Sequence, residues 1–320
     1  MHRTRFQNRL LTTPDARQPK PARGFTLFEL LIATAVIGLI LASVIPYVMA
    51  TRELSRRAQC ASNLKLVRDA MKVYAADFGT YPRVRYDSTV RPEGWTAFTG
   101  ADASDPFAAG GAVQPNDVTA SIWLLVRNGY VSDTGAFVCP STGDWPDRLY
   151  DAAGAKTSAK RRGNFRSPNH LSYSIFCPFG SAVQNWTDTL PSDCALLADK
   201  SPGVGRGNNA AGVPATAPAE AYAVSNSPNH GRAGQNVLFA DGSVQFERNS
   251  YVGVGYKRPM KNEQTGEWST LATGDNIYTA EQATPLPAGQ TPPAYGQGVV
   301  SRDVSPAWPY DSYLVPTAAE

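Results

Sequence analysis

Residues 24–49 open with Gly24-Phe25-Thr26-Leu27-Phe28-Glu29-Leu30-Leu31-Ile32-Ala33, continue through Thr34-Ala35-Val36-Ile37-Gly38-Leu39-Ile40-Leu41-Ala42-Ser43-Val44-Ile45, and close on Pro46-Tyr47-Val48-Met49. From Phe25 to Met49 there are 25 residues and a single charge, Glu29. At about 1.5 Å per residue a helix of this length spans about 37 Å, enough for a hydrocarbon core of about 30 Å with some tilt. A secretory signal has an apolar stretch of only about 7–15 residues, cleaved after it. The run is too long for that and predicts a spanning helix. A carboxylate inside such a span costs about 2.5–3.5 kcal/mol, so Glu29 is expected to have a partner. Pro46 removes one backbone hydrogen bond and favours a kink.

The charge on either side of this run is uneven. Residues 1–24 carry Arg3, Arg5, Arg9, Arg17, Lys20 and Arg23 against Asp15, a net +5 within a chain of net +3. The remainder holds 24 basic and 26 acidic residues, a net −2. Positive charge before the span predicts a cytoplasmic N-terminus, with the bulk of the chain on the far side. The acidic remainder gives no electrostatic reason to expect a nucleic-acid partner.

The Gly24-Phe25-Thr26-Leu27-Phe28-Glu29 segment, with Lys20 and Arg23 before it, resembles the type IV prepilin signature. In that family a dedicated peptidase cuts after the Gly and methylates the new N-terminus. The resemblance implies a processing site at Gly24 and Phe25. It also implies an assembly role for Glu29, paired with the Phe25 amine of a neighbouring subunit. Ala75-Ala76-Asp77-Phe78-Gly79-Thr80-Tyr81-Pro82 is similar to the helix-end pattern of type II secretion pseudopilins. The implied fold is α+β and pilin-like: a long N-terminal helix packed on a small antiparallel sheet, with long loops. The implied partners are the prepilin peptidase, other pilin or pseudopilin subunits through the N-terminal helix, and the bacterial inner membrane. Localisation would be single-pass, with the globular domain periplasmic or extracellular.

The helix is expected to continue past the span. Leu64, Val67, Met71, Tyr74 and Phe78 are spaced to share one face, and Gly79 then Pro82 end it. Cys60, just before this stripe, reads as a small helix-face residue. A short helix is expected from about Asp117 to Arg127, capped by Asn116 or Asp117 and closed by Asn128-Gly129. Tyr130-Val131 and Phe137-Val138-Cys139 read as short extended pieces, and residues 141–170 as a loop in which Lys160-Arg161-Arg162 is a solvated charge cluster. Strands are expected at Leu171–Phe176 and Cys194–Asp199. Asn236–Ala240 and Ser243–Glu247 flank Asp241-Gly242 and read as a type I′ hairpin. The organisation is therefore 1–24 leader peptide, 25–50 transmembrane and filament-core helix, 51–79 amphipathic half of the same helix, 80–279 globular α+β domain and 280–320 Pro-rich C-terminal tail.

Asn229-His230 lies ahead of Asp241-Gly242 with ten residues between. This resembles the C-terminal His-x9-Asp-Gly motif of a large bacterial family of prepilin-like proteins, with one extra residue. That family often also carries a Cys-Pro-Ser like Cys139-Pro140-Ser141 and an Ala-Asp like Ala198-Asp199. The plain reading is that Asp241 and Gly242 make a turn and His230 hydrogen-bonds nearby. No cofactor is expected, although Asp199, His230 and Asp241 are three candidate metal ligands. Calcium is poorly served, since it takes about 6–8 oxygen ligands. An enzyme is not expected: there is no Gly-x-Ser-x-Gly elbow, and the three histidines are His2, His170 and His230. The four cysteines, Cys60, Cys139, Cys177 and Cys194, form no Cys-x-x-Cys pair, and sequence leaves their pairing open. Two functions of different class follow: a structural subunit of a type II secretion or type IV pilus-like filament, or a pilin-anchored domain that binds a ligand or metal.

Overall fold

The computed structural model describes residues 24–90, 105–151, 153–203, 213, 218–254, 256–261, 268–273, 275–279 and 311–315. Residues 1–23 of the leader, residues 204–212 and most of the Pro-rich tail lie outside the described residues. Two units divide the chain between Ala50 and Thr51.

Helix α1 is Leu27–Phe78, 52 residues with Pro46 inside it. Its end follows the expected chemistry: Gly79 takes φ 76° and its N–H bonds Ala75 O at 2.8 Å, a conformation glycine adopts without a Cβ penalty. In the second unit its buried face is Cys60, Leu64, Val67, Ala70, Met71, Tyr74 and Ala75. This is the apolar stripe read from the spacing, widened by small residues. Phe78 departs from it: it is exposed and stacks on Tyr74 with ring centroids 4.4 Å apart.

Helix α2, Val118–Arg127, is capped by Asp117, whose carboxylate accepts from the Ala120 N–H at 2.8 Å. Every residue from Val118 to Val126 is buried, so α2 is a core helix. Trp123 sits edge-on to Phe165, and Phe165 edge-on to Phe137.

The sheet contains β1 (Tyr173–Phe176), β2 (Ala195–Asp199), β3 (Gln235–Phe239), β4 (Val244–Glu247) and β7 (Leu314–Val315), in the order β4-β3-β2-β1-β7 and antiparallel throughout. A separate hairpin pairs β5 (Tyr256–Lys261) with β6 (Trp268–Thr273). The strands β1, β2 and β3 are buried at every position, which explains their apolar runs without clean alternation. One core joins the α1 stripe, α2 and these strands. The architecture is α+β, as expected. Residues 311–315, assigned to the tail by composition, are buried, and their Leu314-Val315 pair supplies the outer strand beside β1.

Four local readings are corrected. The Asp241-Gly242 hairpin is not type I′, because Asp241 does not have positive φ and Gly242 does, at 91°. The Gly242 N–H bonds Phe239 O and the Phe239 N–H bonds Ser243 O. The loop is therefore three residues, with a left-handed glycine closing it. Phe137 ends a 3-10 turn, Thr134–Phe137, instead of starting a strand. Arg162 is not solvated: it is fully buried and makes a two-pronged ion pair with Asp147, at 2.7 and 2.5 Å, beside the Trp123 ring. The fork geometry of a guanidinium matches a carboxylate, which is what makes that burial tolerable. Finally, Cys60 is more than a small helix-face residue: it is bonded to Cys139, a pairing the sequence leaves open, in the one disulfide among the described cysteines. Cys177 and Cys194 are buried thiols, both pushed up to about 12 by burial, and hence inert at neutral pH.

Candidate functional site: an uncovered apolar helix and a buried histidine cluster

In the first unit the described chain is nearly all apolar side chain without a covering partner. Phe25 is 89% exposed, and Phe28, Leu30, Leu31, Val36, Ile37, Leu39 and Ile40 are exposed with it. Among the described residues α1 is the one helix long and apolar enough to cross a membrane. Soluble monomers seldom expose a continuous apolar surface of this kind, so lipid or other helices must cover it. Its start is built locally. Thr26 Oγ1 accepts from the Glu29 N–H at 3.2 Å, and Glu29 Oε2 accepts from the Thr26 N–H at 2.9 Å. This is a reciprocal capping box that satisfies two otherwise orphaned donors. The carboxylate that sequence leaves in search of a partner thus has one inside its own chain.

The second unit contains a buried polar cluster around His230. The backbone there is left-handed, φ 54° at His230 and 65° at Gly231, a region uncommon for a residue with a side chain. It turns the imidazole inward. Nδ1 lies 2.6 Å from Glu53 Oε1 of α1. Nε2 lies 3.2 Å from Asp199 Oδ2 at the end of β2, 3.1 Å from Asn236 Nδ2 and 3.5 Å from Cys139 Sγ. Both ring nitrogens face carboxylates. Burial disfavours the charged ring, but hydrogen bonds and charge from Asp199, then Glu53, outweigh it and hold the His230 pKa above its usual value.

The carboxylates are themselves held. Asp199 accepts from the Asn236 N–H at 2.6 Å and from Asn229 Nδ2 at 3.1 Å. Glu53 accepts from the Ser141 hydroxyl at 3.1 Å and has Arg57 Nε at 3.6 Å. The Arg57 guanidinium lies over the Phe246 ring, which meets the imidazole edge-on. Of the residues singled out by sequence, His230 and Asp199 come together and Asp241 does not join them. Asp241 is exposed in the hairpin loop and accepts from the Ser243 N–H. Its backbone carbonyl accepts from Arg68. Glu53 and Cys60 are members that sequence reasoning misses, and Cys139 is singled out there only within the Cys-Pro-Ser resemblance. Glu53 lies seven residues before Cys60, two helical turns, so both fall on the face that carries Leu64 and Val67. That spacing is the available signal.

Arranged this way the cluster ties α1 to β2 and to the turn before β3. The sulfur facing His230 is held in the disulfide.

The family described as the prokaryotic N-terminal methylation motif matches residues 19–45. The chain is similar to the type II secretion system core protein G of Klebsiella pneumoniae, 27% identical over 113 residues, which is 33% of this chain and 76% of that protein. It is also similar to the protein of the same name from Pectobacterium carotovorum subsp. carotovorum, 30% identical over 60 residues, 19% of this chain and 38% of that protein. No solved structure matches.

Proposed function

We propose that this chain is a pseudopilin-like structural subunit of a type II secretion or type IV pilus-like filament. The observation that carries the reading is the apolar, uncovered first half of α1, headed by Gly24-Phe25 and Glu29 inside a prokaryotic N-terminal methylation motif. The similarity to type II secretion core protein G supports it. On this reading the prepilin peptidase cuts the Gly24–Phe25 bond and methylates Phe25. The span then holds the subunit in the inner membrane, N-terminus cytoplasmic and folded domain beyond the bilayer. In the filament the same apolar surface packs on neighbouring α1 helices. The free Phe25 amine of one subunit meets Glu29 of the next, which then exchanges its local Thr26 contact for an ion pair. The domain acts by assembly and not by catalysis; His230 and its carboxylates hold the fold together.

Mass spectrometry of the protein isolated from its cells tests the first step, with an N-methylated Phe25 as the expected N-terminus. Disulfide crosslinking between cysteines placed singly within residues 25–49 tests the second, with ladders of multimers expected in sheared filaments. A chain that retains residues 1–24, or one that never crosslinks through this segment, overturns the reading.

A further inference from the structure

Four donor atoms from separate parts of the second unit converge at one buried point. Cys60 Sγ comes from α1, Cys139 Sγ from the segment after the 3-10 turn, the Asp199 carboxylate from the end of β2, and the imidazole from His230. One donor atom from each lies within 4.8 Å of all the others, and all four residues are buried. Zinc binds sulfur, nitrogen and carboxylate oxygen tetrahedrally with bonds of about 2.0–2.3 Å, which places neighbouring donors about 3.3–3.8 Å apart. The 3.5 Å from His230 Nε2 to Cys139 Sγ and the 3.2 Å from Nε2 to Asp199 Oδ2 are close to two edges of that tetrahedron.

We propose that Cys60 and Cys139 form a two-state pair: a disulfide when oxidised and, when reduced, the two thiolate ligands of a buried zinc(II) site completed by His230 Nε2 and the Asp199 carboxylate. The surrounding groups are those such a site needs. Glu53 stands 2.6 Å from the other ring nitrogen, and a carboxylate there fixes the tautomer that leaves Nε2 free for metal. Asn229 and the Asn236 N–H orient the Asp199 oxygens. The sulfurs exclude calcium and magnesium, which take oxygen donors.

The chemistry balances with a dithiol as reductant. It gives two electrons and two protons, the Cys60–Cys139 bond breaks to two thiols, and the reductant closes its own disulfide. Zinc(II) then displaces both thiol protons, together with any proton on Nε2, into solvent, while Nδ1 keeps its proton toward Glu53. This site stands whether or not the chain assembles into filaments.

The test uses the full chain in detergent, reduced with a water-soluble phosphine (water supplying the oxygen of the phosphine oxide) and titrated with cobalt(II), then zinc(II). The reduced chain is expected to bind one cobalt, with thiolate charge-transfer absorption and the visible bands of a tetrahedral ion, and zinc is expected to bleach both. The oxidised chain should show neither. Glu53→Gln, which removes no ligand, should weaken zinc binding about 10–100-fold at unchanged far-ultraviolet circular dichroism. Asp241→Asn, and the Cys177→Ser/Cys194→Ser double variant, should bind as wild type. The proposal is overturned if the reduced chain takes up no cobalt, if the spectrum lacks thiolate charge transfer, if the oxidised chain binds equally, if Glu53→Gln leaves the affinity unchanged, or if the signal follows Cys177 or Cys194.

Discussion

The Asp147–Arg162 pair shows how much one buried residue carries. Both side chains are essentially without solvent contact. Burial alone would raise the Asp147 pKa, but the Arg162 guanidinium beside it, with N–H groups of Arg166 and Leu149, holds it below its usual value. A carboxylate depressed in the folded state contributes stability that is present above its unfolded pKa, about 3.9, and lost as pH falls through the folded one. Stability at this pair is therefore expected to be flat from neutral pH down to about pH 4 and to fall below it. Asp147→Asn leaves the guanidinium buried without its countercharge, so urea denaturation should show a loss of about 3–5 kcal/mol at neutral pH and a shallower acid limb. A variant that unfolds at the wild-type urea midpoint contradicts this. Nothing local in Lys160-Arg161-Arg162 marks the third residue as buried, because its partner lies 15 residues earlier and the ring beside it 39 residues earlier. Gly24, Phe25 and Glu29 stand out in the sequence for the opposite reason: their signal is contiguous.

At the scale of elements, the sequence is most legible where periodicity or a cap speaks over a long stretch. The expected bounds of helix α1 fall within two residues at its start and on the residue at its end, and those of α2 within one, because Gly79 and the Asp117 cap punctuate them. The Asp241-Gly242 turn is legible in place but not in type, since a two-residue and a three-residue loop present the same dipeptide. Gly242→Ala tests the corrected geometry. A Cβ at φ 91° is strained, and it would meet the Arg68 guanidinium at 2.5 Å, which the flexible arginine can vacate. About 1–2 kcal/mol of destabilisation is expected from the left-handed backbone, read from the thermal midpoint. Asp241→Gly, by contrast, should cost less, since Asp241 has ordinary φ. The start of α1 allows a sharper division. Glutamine serves at the third position of a capping box as glutamate does, so Glu29→Gln keeps the helix start and removes the charge. If filament assembly rests on an ion pair, Glu29→Gln and Glu29→Ala both abolish crosslinked multimers. If it rests on the cap alone, Glu29→Gln assembles normally.

For the whole molecule the decisive link is the one least visible in the sequence. Cys60 and Cys139 are 79 residues apart, and four cysteines admit several pairings, so only the fold identifies which two meet. Their bond ties the helix that begins in the apolar span to the loop ahead of the sheet, and His230, Glu53 and Asp199 gather at the same place. Closing a loop of that length removes chain entropy from the unfolded state worth about 4–5 kcal/mol in the entropic model, with measured values typically about 2–4. The Cys60→Ala/Cys139→Ala variant should therefore melt well below the oxidised wild type and show a larger denaturant slope, because its unfolded chain is less constrained. Reduced wild-type protein should match that variant in the presence of a chelator. Added zinc then separates them. A ligand at 100 times its Kd, bound only by the folded form, restores about 2.7 kcal/mol, so the reduced wild type should regain much of the lost stability while the double alanine variant regains none. Equal recovery in both would place the metal elsewhere. No recovery in either would leave the disulfide as the sole function of the pair and refute the zinc site.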